Sequence, residues 1–308
     1  MKIPEISVIV PIYNEALNVE ELNKRLTSVL DATGQPYELI LVDDGSQDDS
    51  WSRMMALGGS RVCVKLSRNF GHQIAVSAGL DRARGKAIVI IDADLQDPPE
   101  LIVPMLQKHR EGFHVVYARR RARIGEGWFK RTSAKAFYRI LDRLTQIKIP
   151  LDTGDFRLID RMVVDQLRQM PEATKFLRGQ IAWLGLRQTA VWYDREPRAN
   201  GSTGYTFKKM LDLALAGITG FSDQPLRMVS RLGFGISVVS GILIAYALYQ
   251  HFVSEATITG WTSLILSVAF FGGIQLLSLG ILGEYIARIH SNVLRRPLYV
   301  VQQEHATP

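Results

Sequence analysis

Cysteine is almost absent from this sequence of 308 residues. Cys63 is the only one, so the chain forms no internal disulfide and cannot build a metal site from cysteine ligands. It lies in the apolar run RVCVKL, which has the composition of a β-strand. Because a chain without disulfides suits a reducing compartment, we expect its soluble part to reside in the cytosol.

Several common motifs are also missing. No G-x-G-x-x-G follows the first apolar segment and no G-x-x-x-x-G-K-[ST] occurs, so the signatures of dinucleotide-dependent redox chemistry and of P-loop hydrolysis are lacking. The six histidines show no H-x-x-x-H spacing, which leaves none as a persuasive metal ligand. At the N-terminus, Pro11 and Glu15 interrupt the apolar stretch too early for a signal peptide and are typical of a first strand.

Negative charge is in deficit, with 30 acidic residues against 37 basic ones and a net charge of +7. A basic chain can bind nucleic acid, membrane headgroups or a phosphorylated substrate. Here the basic residues lie near acidic motifs and beside long apolar runs, which favours the last two. We therefore expect no nucleic-acid partner.

Formal charge disappears from two stretches of the C-terminal third, residues 232–252 and 258–283. Each is long enough for a helix to cross a bilayer, so we predict two membrane spans, with a pair of buried helices as the alternative. Both ends, and the domain before the spans, are expected in the cytoplasm at the inner membrane, because arginines flank the pair: Arg227, Arg231, Arg288, Arg295 and Arg296. The segment YTFKKMLDLALAGITGF upstream fits an interfacial amphipathic helix.

Strands and helices alternate in the first 120 residues. The apolar strands ISVIVPIY, YELILVDDGS, RVCVKL, KAIVIIDADL and FHVVYARR are separated by helical stretches near residues 17–31, 49 onward, 72–83 and 99–111. This order predicts an α/β fold with a mostly parallel, doubly wound sheet. In such sheets ligands bind beyond the carboxyl ends of the strands.

Acidic residues follow two of these strands. VDDGS places Asp43 and Asp44 after the second strand, where a carboxylate can accept a hydrogen bond from a base N–H or a sugar hydroxyl. DADLQDPPE places Asp92 and Asp94 after the fourth, and hard oxygen ligands on a short turn suit Mg²⁺ or Mn²⁺ bound to a diphosphate. The alternative for both motifs is an acidic turn that only caps a helix.

A basic cluster follows the fifth strand. Arginine side chains suit phosphate oxygens, so this cluster fits a donor diphosphate or a lipid phosphate, and a solvated charge run is the alternative. Its members are Arg119, Arg120, Arg121, Arg123, Lys130, Arg131 and Lys135.

These motifs, in this order, resemble the family-2 glycosyltransferases of GT-A fold, a Rossmann-like architecture. The resemblance is closest to the polyprenyl-phosphate sugar transferases, the group of dolichol-phosphate mannose synthase and bactoprenol glucosyltransferase. It covers nearly the whole chain through PIYNE, VDDGS, SRNFGHQIA, DADLQDPPE, YARR, DTGDFRLIDR, R-x-x-G, FSDQPLR and the two spans. It implies that Asp94 and Gln96 hold a metal and that the nucleoside is held by Pro11, Tyr13, Glu15, Asp43 and Asp92.

The resemblance also assigns an acceptor side. It singles out Arg119 and Arg131 from the basic cluster and places Asp155 and Arg157 where the family closes its acceptor site. Asp155 would orient the acceptor or act as a base, although a phosphate monoester with a second pKa of about 6 hardly needs one; a structural turn is the alternative. Arg198 matches the R-x-x-G motif, but Thr203 and Gly204 replace an expected Ser-Lys pair. His72 is interpreted as a packing or loop-ordering residue.

The expected reaction is inverting transfer of one sugar from a nucleotide-diphosphate sugar to a polyprenyl phosphate. UDP-glucose and undecaprenyl phosphate are the first choices, with UDP-amino sugars and GDP-mannose as other donors. A processive synthase is disfavoured because FLRGQIAWLG stands where such enzymes carry Q-x-x-R-W. A non-catalytic membrane module that binds nucleotide sugar or anionic lipid is the alternative from another class. The resemblance implies a homo-oligomer, with a tetramer as the first candidate.

The expected domain organisation has four parts. Residues 1–205 form the nucleotide-sugar domain, 206–228 the interfacial segment, 229–290 the two-helix membrane region and 291–308 a cytoplasmic tail.

Overall fold

One eight-stranded sheet forms the centre of the protein. The computed structural model describes residues 4–121, 153–194, 220, 222–252 and 260–307. The strand order across the sheet is β7-β5-β6-β4-β1-β2-β3-β8. In chain order the strands are β1 Ile6–Ile12, β2 Tyr37–Asp43, β3 Arg61–Leu66, β4 Ala87–Ile90, β5 Val115–Arg120, β6 Thr153–Asp160, β7 Gln188–Tyr193 and β8 Val301–Thr307.

The sheet is mostly parallel, which confirms the expected α/β class. Strands β4, β1, β2 and β3 are adjacent and parallel, as are β5 and β7. Strand β6 runs antiparallel between β4 and β5, so it begins at the edge of the sheet where β4 ends. The first residues of β6 therefore lie beside the end of β4.

Helices cover both faces of the sheet. The six helices described beside it are α1 Val19–Asp31, α2 Ser50–Ala56, α3 His72–Arg82, α4 Ile102–Arg110, α5 Arg161–Gln169 and α6 Leu177–Trp183. A 3-10 turn, Pro99–Leu101, leads into α4.

Each face of the sheet has its own apolar core because successive side chains of a strand point to opposite faces. Ile6, Val8 and Val10 of β1 pack on one face with α1, α2 and α4, whereas Ile9 packs on the other with α3, α5 and α6. Helix α3 lies so close to β1 that a Cβ on Gly79 would overlap the side chain of Ile9. This close approach fixes the start of α3 near the carboxyl edge of the sheet.

Two long helices follow, α7 Gln224–Phe252 and α8 Trp261–Val293. Within them the segments Gln224–Leu243 and Phe270–Val293 are long and apolar enough to cross a membrane, and neither is buried in the protein. Both helices overlap the predicted spans and extend beyond them on the arginine-rich side. Most of the predicted interfacial segment lies outside the described residues.

The chain returns to the sheet after α8. Strand β8 lies within the expected tail and pairs antiparallel with β3. Arg82 of α3 binds Glu304 of β8 at 2.7 Å, and the Tyr299 hydroxyl donates to Asp81 at 2.7 Å. The segment that follows α8 is therefore attached to the edge of the sheet and to α3.

Candidate active site

The acidic residues predicted from sequence gather at one edge of the sheet. Strands β1, β2 and β4 are parallel neighbours, so Asp43 at the end of β2 and Asp92 just after β4 share their carboxyl edge. Because β6 is antiparallel to β4, with Arg157 opposite Ile90, Asp155 near its start reaches the same edge. The sheet thus brings together carboxylates that lie 112 positions apart in sequence.

The loops after β1 and β2 hold each other in place. Asn14, in a left-handed conformation with φ 53°, accepts a hydrogen bond from the Gln47 backbone, and its own N–H donates to the Ser46 hydroxyl. Next to this turn Pro11 is buried in β1 and the Tyr13 side chain is 43% exposed. These loops form a rim above the sheet edge.

The two other polar residues of this rim differ in how they are bound. The Glu15 carboxylate accepts from Asn18 Nδ2 at 2.6 Å. Asp43 is fully buried, and its Oδ1 accepts from the Ser46 N–H at 2.9 Å while Oδ2 has no hydrogen-bond partner. A buried carboxylate oxygen without a partner costs free energy, which a ligand N–H or O–H donated to Asp43 would recover.

Both carboxylate oxygens of Asp44 are hydrogen-bonded within the protein. Its two carboxylate oxygens accept from the backbone N–H groups of Phe70 and Gly71 at 2.7 and 2.9 Å, so it fixes the loop before α3. Gly45 has φ 70°, and a Cβ there would overlap the Arg68 backbone, so this turn requires glycine. The predicted contact of Asp44 with substrate stays a prediction.

The turn after β4 is strained and closed by side chains. Leu95 is buried with φ 57°, a left-handed conformation that costs a non-glycine residue about 1–3 kcal/mol. Asp94 Oδ1 accepts from the Gln96 N–H at 3.1 Å, and buried Asp97 accepts a hydrogen bond from the Tyr193 hydroxyl. The fold therefore holds Asp94 and Gln96 in a fixed, non-helical turn.

This turn has the donor chemistry of a hard divalent cation site. Asp92 Oδ1 is buried without a hydrogen bond, and burial with the nearby carboxylates of Asp155, Asp97 and Asp94 raises the pKa of Asp92 to about 6, although His72 opposes the shift. Among the described residues no group of three or more potential ligands converges. One or two protein ligands completed by substrate phosphates and water is the arrangement typical of Mg²⁺.

Asp155 lies at the centre of a network of cations and amides. Its Oδ1 accepts from Arg178 Nε at 2.8 Å and from Arg157 Nη2 at 3.4 Å. Its Oδ2 lies 3.1 Å from His72 Nε2 and accepts from Gln73 Nε2 at 3.4 Å. The side chain of Asp155 is 17% exposed, so these partners replace most of its hydration.

His72 connects this network to the turn after β4. Its Nε2 lies 3.5 Å from Asp92 Oδ1 as well as 3.1 Å from Asp155. Burial alone lowers the pKa of His72, but the carboxylates of Asp92 and Asp155 outweigh it and raise the pKa to about 9. The imidazole is therefore protonated at neutral pH and holds two like charges together.

The same charges make Asp155 a weak base. Burial raises its pKa, yet Arg178, His72 and Arg157 together hold the pKa well below the usual range. Burial in turn lowers the pKa of Arg157 to about 10. At neutral pH Asp155 is thus a carboxylate bound by cations, which fits it to orient groups better than to remove protons.

The structure describes only part of the predicted basic cluster. Arg119 lies near the carboxyl end of β5, with its guanidinium 4.6 Å from the ring of Trp192 on β7. Arg121 lies 3.9 Å from Asp194. Arg131 and Arg198 lie outside the described residues, as do Arg123, Lys130, Lys135, Thr203 and Gly204.

Three residues of this site were missed by sequence reasoning. His72 was interpreted as a packing or loop-ordering residue rather than a catalyst, and its contacts with the carboxylates of Asp92 and Asp155 were not foreseen. The available signal was its place as the first residue of α3, since helices after parallel strands begin at the carboxyl edge. Gln73, the second residue of α3, shares this signal. Arg178 had none, because no motif spacing links it to a carboxylate 23 residues away.

The fold matches solved sugar transferases. Mannosyl-3-phosphoglycerate synthase from Rubrobacter xylanophilus superposes with a TM-score of 0.51 at 17% identity, over 75% of this chain and 75% of that one. Glucosyl-3-phosphoglycerate synthase from Mycobacterium tuberculosis, solved with Mn²⁺, UDP-glucose and phosphoglyceric acid, superposes with a TM-score of 0.50 at 22% identity over 70% and 78%. The fold is therefore the GT-A fold, as expected.

The sequence relationships identify the family. Residues 7–168 match the family described as Glycosyl transferase family 2, and the chain belongs to that family. It is 46% identical to the uncharacterized glycosyltransferase sll0501 of Synechocystis, over 96% of this chain and 94% of that one. It is 36% identical to the SfII prophage-derived bactoprenol glucosyl transferase of Shigella flexneri, over 98% of both. The expected enzyme class, a hexosyltransferase, is confirmed.

Proposed function

We propose that the protein transfers one sugar from a nucleotide-diphosphate sugar to the phosphate of a polyprenyl lipid, with inversion at the anomeric carbon. The observation that carries this proposal is one sheet edge where the Asp92 and Asp94 turn meets the cation-bound Asp155. The Shigella relative is named a bactoprenol glucosyl transferase and matches over 98% of this chain, which supports a polyprenyl phosphate as acceptor.

The donor binds on the rim formed by the loops after β1 and β2. Pro11, Tyr13 and Glu15 lie on it, and Asp43 Oδ2 and Asp92 Oδ1 are buried acceptors without a hydrogen-bond partner. UDP-glucose is the first choice because the Shigella relatives are glucosyl transferases and the Mycobacterium structure holds UDP-glucose. A UDP-amino sugar and GDP-mannose are the other donors to test.

Asp94 and Gln96 would hold the divalent ion, Mg²⁺ or Mn²⁺. The Mn²⁺ in the Mycobacterium structure and the oxygen-rich turn after β4 support this assignment. When bound, the ion neutralises the charge that the departing nucleotide diphosphate acquires.

The acceptor phosphate approaches from the side of β5 and β6. Arg119 and Arg131 bind its oxygens, with Arg157 and Arg198 as further phosphate contacts, and Asp155 orients the group. A phosphate oxygen of the acceptor forms the new bond to the anomeric carbon while the bond from that carbon to the donor diphosphate breaks. The electron pair of the broken bond leaves with the nucleotide diphosphate. Because the acceptor is largely a dianion at neutral pH, no proton must be removed, and catalysis consists of positioning and electrostatics.

Helices α7 and α8 anchor the enzyme in the inner membrane as two spans. Their apolar segments are exposed on the protein surface, and Arg227, Arg231, Arg288, Arg295 and Arg296 lie at one side of the pair. The excess of arginine on that side supports a cytoplasmic catalytic domain. Assembly as a homo-oligomer belongs to the same proposal.

A donor panel tests the reaction. The full-length protein in detergent is mixed with undecaprenyl phosphate and radiolabelled UDP-glucose, UDP-amino sugars or GDP-mannose, with Mg²⁺, Mn²⁺ or chelator. The proposal predicts metal-dependent label in the lipid from one donor, with UDP-glucose first. Nucleotide binding without any lipid label from the panel would contradict the proposal and favour a non-catalytic binding module.

A further inference from the structure

The cytoplasmic end of α8 contacts the segment between α5 and α6. Asn292 Oδ1 accepts a hydrogen bond from the Ala173 backbone N–H at 2.9 Å. Arg288, about one turn earlier in α8, lies near enough to Glu172 for its charge to favour that carboxylate, without a salt bridge between the two among the described contacts. Residues 172 and 173 are therefore held on the end of a helix that we place in the membrane.

This segment is joined firmly to α6. The Glu172 carboxylate accepts from Gln180 Nε2 at 3.1 Å, and Gln180 is 1% exposed. Lys175 Nζ donates to the Met170 carbonyl at 2.6 Å, which closes the segment on itself. Helix α6 also buries Leu177 and Ile181 in the apolar core that it shares with α3 and α5. Movement of the segment against α6 would break these contacts.

The first turn of α6 reaches the acceptor side of the candidate site. Arg178 Nε donates to Asp155 Oδ1 at 2.8 Å. The Leu177 N–H donates to Gln73 Oε1 at 3.1 Å, and Gln73 Nε2 donates to Asp155 Oδ2 at 3.4 Å. Both carboxylate oxygens of Asp155 are thus bound, directly or through one side chain, by the beginning of α6.

We propose that α6 positions Asp155 from the membrane side. Arg178 of α6 is the positioning residue, and Asn292 of α8 attaches the segment that precedes α6 to the membrane helix. The acceptor side of the site then stands at a fixed height above the bilayer, where the phosphate of a membrane-embedded lipid arrives. This inference rests on the proposed function. If the Asn292 contact were purely structural, its loss would affect every acceptor equally, so the choice of acceptor tests Asn292. For Arg178, a fall in kcat at an unchanged donor Kd, partly recovered by Arg178→Lys, separates positioning from a structural role.

The first test changes the attachment to α8. Asn292→Ala is compared with Ser291→Ala, whose hydroxyl bonds only the Ala287 carbonyl of its own helix among the described contacts. Each full-length variant is assayed with undecaprenyl phosphate in liposomes and with citronellyl phosphate, a short water-soluble acceptor. Asn292→Ala should raise KM for the liposome lipid about three- to tenfold, the range expected for one hydrogen bond, and leave KM for the short acceptor unchanged. Ser291→Ala should change neither value.

The second test changes Arg178 itself. Arg178→Gln should lower kcat for both acceptors by about tenfold or more while the Kd of the donor stays unchanged, because the described bonds of Arg178 go to Asp155 on the acceptor side. Arg178→Lys keeps the charge without the planar fork and should recover part of kcat. This conservative variant also keeps the test decisive if Arg178→Gln fails to fold in detergent.

The outcomes separate the two proposals. A wild-type protein that labels neither acceptor overturns the proposed function and this inference with it. If the wild-type protein labels both acceptors but Asn292→Ala changes neither KM, or changes both equally, the inference alone is overturned. Wild-type kcat in Arg178→Gln also overturns it and leaves the proposed function standing.

Discussion

The donor side and the acceptor side of the candidate site are built in different ways. On the donor side, the carboxylates of Asp43 and Asp94 accept hydrogen bonds from within their own turns, from the N–H groups of Ser46 and Gln96. The acceptor side is assembled from distant segments, with Asp155 bound by His72 across 83 positions and by Arg178 across 23. The turn after β2 leaves Asp43 Oδ2 without a hydrogen bond and so open to a ligand, whereas the long-range network pairs the charges of Asp155 in advance.

The largest expected effect is the loss of Asp94 on the donor side. Asp94→Ala should lower transfer at least about 1000-fold, equivalent to about 4 kcal/mol of transition-state stabilisation, because the departing diphosphate loses its metal. The measurement is metal-dependent labelling of undecaprenyl phosphate. Asp165→Ala, which removes an exposed carboxylate of α5, should keep wild-type activity. Metal-dependent turnover retained by Asp94→Ala would contradict the metal assignment.

The next effect comes from the acceptor side. Asp155→Asn keeps the shape but leaves His72 and Arg178 without their counter-charge, so kcat should fall about 100-fold, or roughly 3 kcal/mol, with an unchanged donor Kd. Steady-state kinetics and nucleotide binding are measured together.

Asp160 provides a matched control for this change. It lies at the other end of β6, also pairs with a histidine, His109 at 2.8 Å, and is far along the strand from the site. Asp160→Asn should keep the wild-type kcat. Equal losses in the two variants would show that the effect of Asp155→Asn is one of stability and would remove the distinction between the sides.

A smaller effect is expected at Asp43. Asp43→Asn keeps the volume of the side chain but removes the negative charge of the buried carboxylate and can replace its unbonded oxygen by an amide nitrogen. The donor Kd should therefore rise about tenfold. The KM for the lipid should stay unchanged, since Asp43 does not contact the acceptor network. Calorimetric titration with the donor nucleotide measures the change. A donor Kd equal to that of the wild type would place the nucleoside elsewhere.

The smallest effect concerns the pH dependence of stability at His72. The groups that face it are Asp92, Asp155, Asp44 and Arg178. Because the folded-state pKa of about 9 lies above the ordinary value of 6.5, the imidazolium stabilises the fold fully below pH 6.5 and loses this contribution as the pH rises through 9. The Tm of metal-free protein should therefore exceed that of His72→Gln at pH 6.5, and the two should converge above pH 9. A constant difference would contradict the charged state.

The contrast between local turns and long-range contacts also explains which parts of the fold and of the site could be predicted from the sequence. The alternation of strands and helices predicted β1 to β5 with their helices, because local periodicity and turn residues determine these elements. Asp43, Asp92 and Asp94 could be placed at one edge because parallel strands end together. The antiparallel direction of β6 and the return of β8 to the sheet depend on tertiary pairing and had no local signal. Arg178 was missed for the same reason.

In the proposed mechanism the two sides meet at the anomeric carbon from opposite faces, with the acceptor phosphate opposite the departing diphosphate. The most direct test is the anomeric configuration of the sugar phosphate formed on the lipid in a single turnover, read from the NMR coupling constants of the anomeric proton. Transfer from an α-linked nucleotide sugar should give the β-linked product. An α-linked product would contradict single displacement and the opposed placement of the two sides.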